Sequence, residues 1–219
     1  MEGVTAIVFD WDGTLMDSYA SGFQASMAVF QHFGIPADGD RFLTTYNPNW
    51  YETYRTVGLP EEDWEKADRL WLEHYHRNPP RLYPFARRTL EALCKHGYEL
   101  ALVTSGTRDR VIGELAGYDL KRFFSATVCF EDTRDKKPHP APLRKALERM
   151  KRAPATSVYV GDRPEDILMG RRTGTFTIGV ESNYVTRTLL EKAAPDLILR
   201  HAGQLLARFG PAPNEHDPP

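Results

Sequence analysis

Short apolar runs that alternate with helical patterns are the feature that most constrains the fold of this chain. We predict buried strands at residues 6–9, 100–103, 127–130, 158–160, 176–180 and 197–199. Amphipathic helices are expected between the later runs, at 88–96, 108–116 and 141–150. Strands that alternate with helices indicate an α/β fold, a Rossmann-like parallel sheet with helices on both faces.

One long segment interrupts this alternation. Between residues 17 and 84 no buried strand is predicted, whereas 21–33 and 61–76 have helical patterns. Trp64 and Trp71 share one face of the second helix and are expected to pack in a small core. We therefore predict a core at 1–16 and 85–209, an inserted all-helical cap domain at 17–84, and a flexible tail at 210–219.

Charge and cysteine content limit the class of partner. The 28 basic side chains nearly balance the 30 acidic ones, so no broad basic surface for nucleic acid is expected. Cys94 and Cys129 lie in apolar patterns and are expected to be reduced thiols. No apolar run approaches the length of a membrane span, so we expect a cytoplasmic protein without a membrane partner. The sequence leaves the oligomeric state open.

Two carboxylates, Asp10 and Asp12, follow the first predicted strand, where the apolar run ends at Gly13. Alternate strand residues point to the same side, so both carboxylates are expected to converge beyond the carboxyl end of the strand, where open α/β sheets bind ligands. Their mutual repulsion calls for a divalent cation or a raised carboxyl pKa. Taken alone, Asp12-Gly13 is explained equally well as a turn.

Two further segments contain the groups of an anion site. Thr104, Ser105 and Gly106 follow a predicted strand, and their hydroxyl and N–H groups could bind phosphate. Lys137 precedes a proline that constrains its backbone, so we choose it over Lys136 as the positive charge between carboxylates and phosphate. In isolation the first segment is explained as a turn and the second as a solvated basic loop.

A second pair of carboxylates follows the strand predicted at 158–160. Asp162 comes directly after a glycine, and Pro164 opens a helix that puts Asp166 in its first turn, on the same side. Singly, these residues are explained as a helix cap and a dipole partner. Together with the first pair they form a set of oxygen ligands suited to Mg²⁺. The candidate metal ligands are Asp10, Asp12, Asp162 and Asp166.

These segments occur in the order of the four motifs of the haloacid dehalogenase superfamily. The motifs are Asp10-Trp11-Asp12-Gly13-Thr14, Val103-Thr104-Ser105, Lys137-Pro138-His139-Pro140, and Gly161-Asp162 with Asp166. The chain therefore resembles a phosphatase of that superfamily over nearly all of its length. The helical insertion is similar to the cap of the phosphoglycolate phosphatase-like subfamily. Arg163 departs from the pattern, which commonly has a small hydroxyl residue there.

The resemblance implies a covalent mechanism. Asp10 would attack phosphorus and form an aspartyl phosphate. Mg²⁺ would be held by the carboxylates of Asp10 and Asp162 and by the main-chain carbonyl of Asp12. Asp12 would also protonate the leaving group and then take a proton from water. Since a halide needs no acid in order to leave, Asp12 favours phosphate esters as substrates.

The resemblance also implies how the phosphate is bound. The Thr104 hydroxyl and the Ser105 N–H, with Gly106 beside them, would bind phosphoryl oxygens, and Lys137 would add a positive charge. Asp166 would position Lys137 or water on the metal. The helical cap would close over the site, exclude bulk water and select the leaving group.

The identity of the substrate depends on the cap. Trp50 and Arg55 are candidate contacts, together with Tyr46, Asn47 and Tyr51, because an arginine could bind a second anionic group. Packing within the cap is the alternative interpretation, and the stronger one. We expect a small phosphorylated metabolite, with phosphoglycolate, a sugar phosphate, a nucleotide and pyrophosphate all open.

Other activities remain alternatives at this point. A sugar-phosphate mutase or another phosphotransferase would retain the phosphoryl group instead of releasing phosphate. A phosphonate-cleaving enzyme is disfavoured, because Lys66 is the only lysine between residues 17 and 84 and its pattern is that of an exposed helix position. A non-catalytic module phosphorylated on Asp10 is a further class, which the cap and Asp12 disfavour.

Overall fold

The computed structural model describes residues 3–185 and 187–210. The chain divides into two compact units: Asp17–Arg81 forms one, and the segments on either side of it form the other, here called the core. Residues 82–84, expected in the insertion, belong to the core. Of the expected tail, all but Gly210 lies outside the described residues.

Within the described residues, six parallel strands form the sheet of the core: β1 (Ala6–Phe9), β4 (Glu99–Val103), β5 (Phe124–Val128), β6 (Ser157–Gly161), β7 (Phe176–Val180) and β8 (Leu197–Leu199). Their order across the sheet is β5-β4-β1-β6-β7-β8. Two-residue strands, β2 (Met16–Asp17) and β3 (Arg81–Leu82), pair with each other at the boundaries of the insertion. The strand order changes direction at β1, which makes the carboxyl end of β1 the expected place for a ligand.

Five helices accompany these strands among the described residues of the core. They are α5 (Ala86–Lys95), α6 (Arg108–Gly117), α7 (Ala141–Met150), α8 (Pro164–Thr173) and α9 (Arg187–Lys192). Along β1, Ile7 and Phe9 belong to one apolar cluster, while Ala6 and Val8 belong to another. Both faces of the sheet are therefore covered, as a parallel sheet requires. The predicted α/β class is confirmed.

The strand predicted at 127–130 is placed wrongly, whereas the other five predicted strands lie within one residue of the observed bounds. β5 runs from Phe124 to Val128, and a short 3₁₀ turn follows at Phe130–Asp132. Because β5 is at the edge of the sheet, its burial alternates: Ala126 and Val128 are buried and Ser125 is exposed. A search for a continuous apolar run misses this pattern of alternate residues.

The inserted unit is built from four helices among the residues that the structure describes. They are α1 (Tyr19–His32), α2 (Gly39–Thr45), α3 (Trp50–Val57) and α4 (Trp64–Arg77). α1 packs against α4, and Trp64 and Trp71 pack on an apolar core that contains Phe30 and Phe42. α2 and α3 have seven and eight residues, too few for a helical period to be recognised. In the described ranges, no helix combines the length and the apolar character needed to cross a bilayer.

We expect a matched pair of leucine substitutions to test the core. Leu90 in α5 is fully buried, whereas Leu189 in α9 is 47% exposed. Leu90→Ala should lower the free energy of unfolding by about 2–5 kcal/mol, because it removes buried methyl groups and leaves a cavity. Leu189→Ala should change it by less than about 0.5 kcal/mol. Urea unfolding followed by circular dichroism measures both, and equal losses would contradict this packing.

Candidate active site

Three neighbouring strands end in polar residues at the same edge of the sheet. Asp10 follows β1, Thr104 follows β4 and Asp162 follows β6. The N–H of Asp10 donates to the carbonyl of Val160 at 2.8 Å, and the N–H of Thr104 donates to that of Val128 at 2.9 Å. These bonds extend the ladder of the sheet by one residue and fix where each side chain starts.

Lys137 connects two of the predicted carboxylates. Its ammonium donates to Oδ1 of Asp10 at 2.6 Å and to Oδ1 of Asp166 at 2.7 Å, and all three side chains are buried. The Lys137–Pro138 peptide bond is cis. Burial acts against the charge on Lys137, but the carboxylates of Asp10 and Asp166 outweigh it and raise its pKa. Lys137 is therefore held as a cation between the two carboxylates.

Asp166 is fixed by further hydrogen bonds. Its Oδ1 accepts from the hydroxyl of Tyr159 at 3.0 Å, and its Oδ2 accepts from the N–H of Arg163 at 3.1 Å. α8 begins at Pro164, as predicted, and places Asp166 in the first turn. The side chain of Arg163 pairs with Glu165 at 3.2 Å. Asp166 thus caps its own helix and also orients Lys137.

Asp162 has one oxygen bound and one without a partner. Oδ2 accepts from the hydroxyl of Ser182 at 2.6 Å, whereas Oδ1 is buried and has no hydrogen-bond partner within the described residues. A Cβ atom on Gly13 would lie 2.3 Å from Oδ2, and Gly13 has a φ of +80°. Only glycine therefore allows the loop after β1 to pass so close to Asp162.

The buried carboxylates form a set that fits a divalent cation. Asp10, Asp162 and Asp166 offer oxygen atoms within 4.8 Å of one another. Three carboxylates beside the single ammonium of Lys137 leave an excess of negative charge. Burial raises the pKa of Asp162, and the charge of Asp10 raises it further. Burial likewise raises the pKa of Asp10, although Lys137 opposes the shift. Mg²⁺ prefers hard oxygen ligands of this kind. Among the described residues the buried Oδ1 of Asp162 has no hydrogen-bond partner, so it is suited to bind a cation.

The loop after β4 contains the predicted anion-binding residues. The hydroxyl oxygen of Thr104 accepts from the N–H of Gly106 at 3.0 Å, so its own proton can still be donated. The carbonyl of Gly106 accepts from the N–H of Phe130 at 3.0 Å. Both main-chain groups of Gly106 are thus engaged within the core, and Ser105 lies between the two residues of this turn. Phosphate binding by Thr104, Ser105 and Gly106 stays a prediction.

Asp12 is not one of the carboxylates that form this buried group of three. Its charge still raises the pKa of Asp10, so the expected convergence of the Asp10 and Asp12 carboxylates stays a prediction. β1 ends at Phe9, and Asp12 lies in the turn that follows, where the alternation of a strand no longer applies. The Asp12 carboxylate pairs with Arg110 of α6, at 2.6 Å.

The cap candidates make contacts within their own unit. The indole N–H of Trp50 donates to Asp68 at 3.0 Å, and the hydroxyl of Tyr51 donates to the same carboxylate. Arg55 pairs with Glu52 at 2.6 Å and lies over the ring of Trp64. An anionic substrate would have to compete with the partners of Arg55. Substrate contact by Trp50 and Arg55 stays a prediction.

Three residues of the site were not predicted. Tyr159 has a detectable signal, because a tyrosine in a fully buried strand needs a hydrogen-bond partner for its hydroxyl. Arg110 is buried at the beginning of α6, where charged residues are common, and nothing in the sequence distinguishes it from an exposed arginine. Ser182 follows β7 in a loop, and its bond to Asp162 depends on the sheet order.

Comparison with known proteins agrees with this geometry. The family of haloacid dehalogenase-like hydrolases matches residues 7–180. The pyrophosphatase PpaX of Bacillus velezensis is 32% identical, over 93% of this chain and 95% of that protein. A phosphoglycolate phosphatase of Photorhabdus laumondii is 28% identical, over 96% of this chain and 94% of that protein.

A solved structure agrees as well. The crystal structure of a predicted phosphoglycolate phosphatase from Haemophilus somnus superposes with a TM-score of 0.81 at 25% identity, and covers 95% of this chain and 99% of that one. The family match spans the strands that carry Asp10, Thr104 and Asp162. The chain is therefore an enzyme that belongs to the haloacid dehalogenase-like hydrolases, as the sequence predicts.

Proposed function

We propose that this protein is a magnesium-dependent phosphatase that hydrolyses a small phosphate monoester through an aspartyl phosphate on Asp10. The observation that carries this proposal is the pairing of the buried Asp10 carboxylate with Lys137, next to an Asp162 oxygen that has no partner among the described residues. A carboxylate needs no base to activate it, and the contact with Lys137 favours its ionised form. Asp10 is thus suited to attack phosphorus.

The remaining residues have complementary roles. Asp10, Asp162 and the main-chain carbonyl of Asp12 would hold Mg²⁺, which would supply positive charge to offset the repulsion between carboxylate and phosphate. Lys137 offsets the charge of the nucleophile, and Asp166 holds Lys137 in place. The hydroxyl of Thr104, which follows the neighbouring strand, would donate to a phosphoryl oxygen.

Asp12 is the proton donor and acceptor in this scheme. As the bond between Asp10 and phosphorus forms, the bond from phosphorus to the leaving oxygen breaks, and Asp12 gives that oxygen its proton. In the second step water bonds to phosphorus, Asp10 leaves, and Asp12 takes the proton of the water. The side chain of Asp12 is not part of the group of Asp10, Asp162 and Asp166, which is consistent with this separate role.

A compact anion is the proposed class of substrate. Relatives that match over nearly their whole length are named pyrophosphatase and phosphoglycolate phosphatase. Phosphoglycolate and pyrophosphate are therefore the first compounds to assay, beside sugar phosphates and p-nitrophenyl phosphate. Release of free phosphate would distinguish a phosphatase from a mutase, which keeps the phosphoryl group on its substrate.

Substitution of the nucleophile tests the proposal. Asp10→Asn keeps the shape of the side chain but removes its nucleophilic charge, so phosphate release should fall by about 10⁴-fold or more. Asp109→Asn, which changes an exposed carboxylate of α6, is the matched control and should retain activity. Phosphate release is measured over the panel with and without Mg²⁺. Substantial turnover by purified Asp10→Asn protein would overturn the mechanism.

Metal binding is expected to stabilise the fold. A Mg²⁺ concentration of a hundred times the Kd should increase the free energy of unfolding by about 2.7 kcal/mol. This increase is measurable as a rise in Tm for the wild type and for Asp109→Asn. Asp162→Asn should lose this rise, because it removes a ligand, and should also be more stable than the wild type without metal, because a buried like charge disappears. A Mg²⁺-dependent rise that survives in Asp162→Asn would contradict the assigned ligand set.

The same substitution has a pH signature. The raised pKa of Asp162 means that the metal-free folded state binds a proton more tightly than the unfolded state does. Metal-free stability should therefore decrease as the pH rises above the ordinary carboxyl pKa of about 3.9. This decrease should be smaller in Asp162→Asn. Urea unfolding at a series of pH values measures this decrease. If the free energy of unfolding changed equally with pH in the wild type and in Asp162→Asn, the result would count against a buried charge on Asp162.

Removal of the proposed acid should depend on the leaving group. Phenyl phosphate and p-nitrophenyl phosphate have similar shapes, but nitrophenol is much more acidic than phenol and needs less protonation in order to leave. Asp12→Ala should lower kcat for phenyl phosphate by roughly a hundredfold or more, and lower it far less for the nitrophenyl ester. Equal losses on both esters would indicate that Asp12 is not the acid.

A further inference from the structure

Arg110 contacts the Asp12 carboxylate at two points. Nη1 donates to Oδ1 at 3.0 Å and Nη2 donates to Oδ2 at 2.6 Å, so the guanidinium binds both oxygens in parallel. The side chain of Arg110 is only 6% exposed. A two-point pair of this kind fixes the plane and the direction of a carboxylate, whereas a single contact leaves it free to rotate.

A second carboxylate, that of Glu114, contacts the same guanidinium. Nη1 of Arg110 lies 3.3 Å from both carboxylate oxygens of Glu114, one turn further along α6. The indole N–H of Trp11 donates to Oε2 of Glu114 at 2.6 Å. Arg110 is therefore anchored through Glu114 to the residue that precedes Asp12. Its position, and with it that of Asp12, is determined by α6.

The loop proposed to bind phosphate is shaped around the same arginine. A Cβ atom on Gly106 would lie 2.3 Å from Nη2 of Arg110 and 2.7 Å from Cγ2 of Val111. Any other residue at Gly106 would therefore displace the guanidinium or the turn. Both main-chain polar groups of Gly106 are already bonded to protein. The clearest reason for glycine at this position is therefore the space that the side chain of Arg110 occupies.

We propose that Arg110 is a positioning residue that fixes the orientation of the Asp12 carboxylate for proton transfer. This role rests on the proposed phosphatase activity. With Arg110 in place, one Asp12 oxygen can remain on the guanidinium while the other carries the proton to the leaving oxygen. Without Arg110, the Asp12 carboxylate loses this two-point contact, and the negative charge of Asp10 repels it when it is ionised.

A double-mutant cycle with the two aryl phosphates tests this role. The variants are Arg110→Gln, Asp12→Ala and the double variant, with Arg122→Gln as the control at an exposed arginine. Arg110→Gln should lower kcat for phenyl phosphate about tenfold more than for p-nitrophenyl phosphate. In the Asp12→Ala background the same substitution should no longer distinguish the two esters, because the side chain that it orients is absent. Arg122→Gln should leave both rates unchanged.

Two results would overturn the role of Arg110. One is an equal loss on both esters in Arg110→Gln, which is the expectation for a purely structural arginine. The other is the same unequal loss in the presence and absence of Asp12. If circular dichroism shows that Arg110→Gln does not fold, Arg110→Lys replaces it, because this variant keeps the charge without the two-point contact. Its kcat must then also fall more for phenyl phosphate than for p-nitrophenyl phosphate, by a smaller factor. Failure of the phosphatase proposal itself is distinguishable, because the wild type would then release no phosphate from either ester, or Asp10→Asn would remain active.

Discussion

The ammonium group of Lys137 is the interaction on which the site depends. It lies between Asp10 and Asp166, within hydrogen-bonding distance of both, and none of these side chains is accessible to solvent beyond a few per cent. Loss of one partner from a buried ion pair typically costs about 3–5 kcal/mol, because it leaves a charge uncompensated. The carboxylates of Asp10, Asp162 and Asp166 could not be brought together without such a cation, and their remaining charge is what suits them to a divalent metal.

Much of this arrangement could be predicted from the sequence, because a parallel sheet brings the residues that follow its strands to the same edge. Asp10, Thr104 and Asp162 each follow an apolar run, and parallel strands present their carboxyl ends at one edge. The proline after Lys137 distinguishes it from Lys136 in the sequence, and Lys137 lies between two carboxylates. Residues that end buried strands are thus positioned by the backbone, and their meeting point follows from fold class alone.

Residues whose position depends on side-chain packing could not be predicted in this way. The Asp12 carboxylate pairs with a buried arginine, Arg110, and no local pattern marks that arginine as buried. The edge position of β5 and the short helices α2 and α3 were missed for a related reason, since their burial is set by neighbours distant in the chain. Likewise, the contacts of Arg55 with Glu52 and Glu61 arise from the local fold of the cap.

Asp10 and Asp12 lie only two positions apart in the sequence, but they have different partners. Asp10 is held by a lysine and belongs to the metal-binding group, whereas Asp12 is held by an arginine outside it. This difference in partner gives each carboxylate its proposed role, one as nucleophile and the other as proton carrier. Arg110 and Lys137 are therefore not interchangeable cations. The planar guanidinium of Arg110 fixes the orientation of a carboxylate through two contacts, whereas the ammonium of Lys137 acts as a point charge.

Direct capture of the covalent intermediate tests the central claim most sharply. Enzyme under turnover with p-nitrophenyl phosphate and Mg²⁺ is quenched in acid and reduced with borohydride, which converts an aspartyl phosphate into homoserine and leaves a free carboxylate unchanged. Peptide mass spectrometry should then find homoserine at position 10, in greater amount in Asp12→Ala, where hydrolysis of the intermediate is slowed. Modification at another aspartate, or none at position 10 while phosphate is released, would contradict the account.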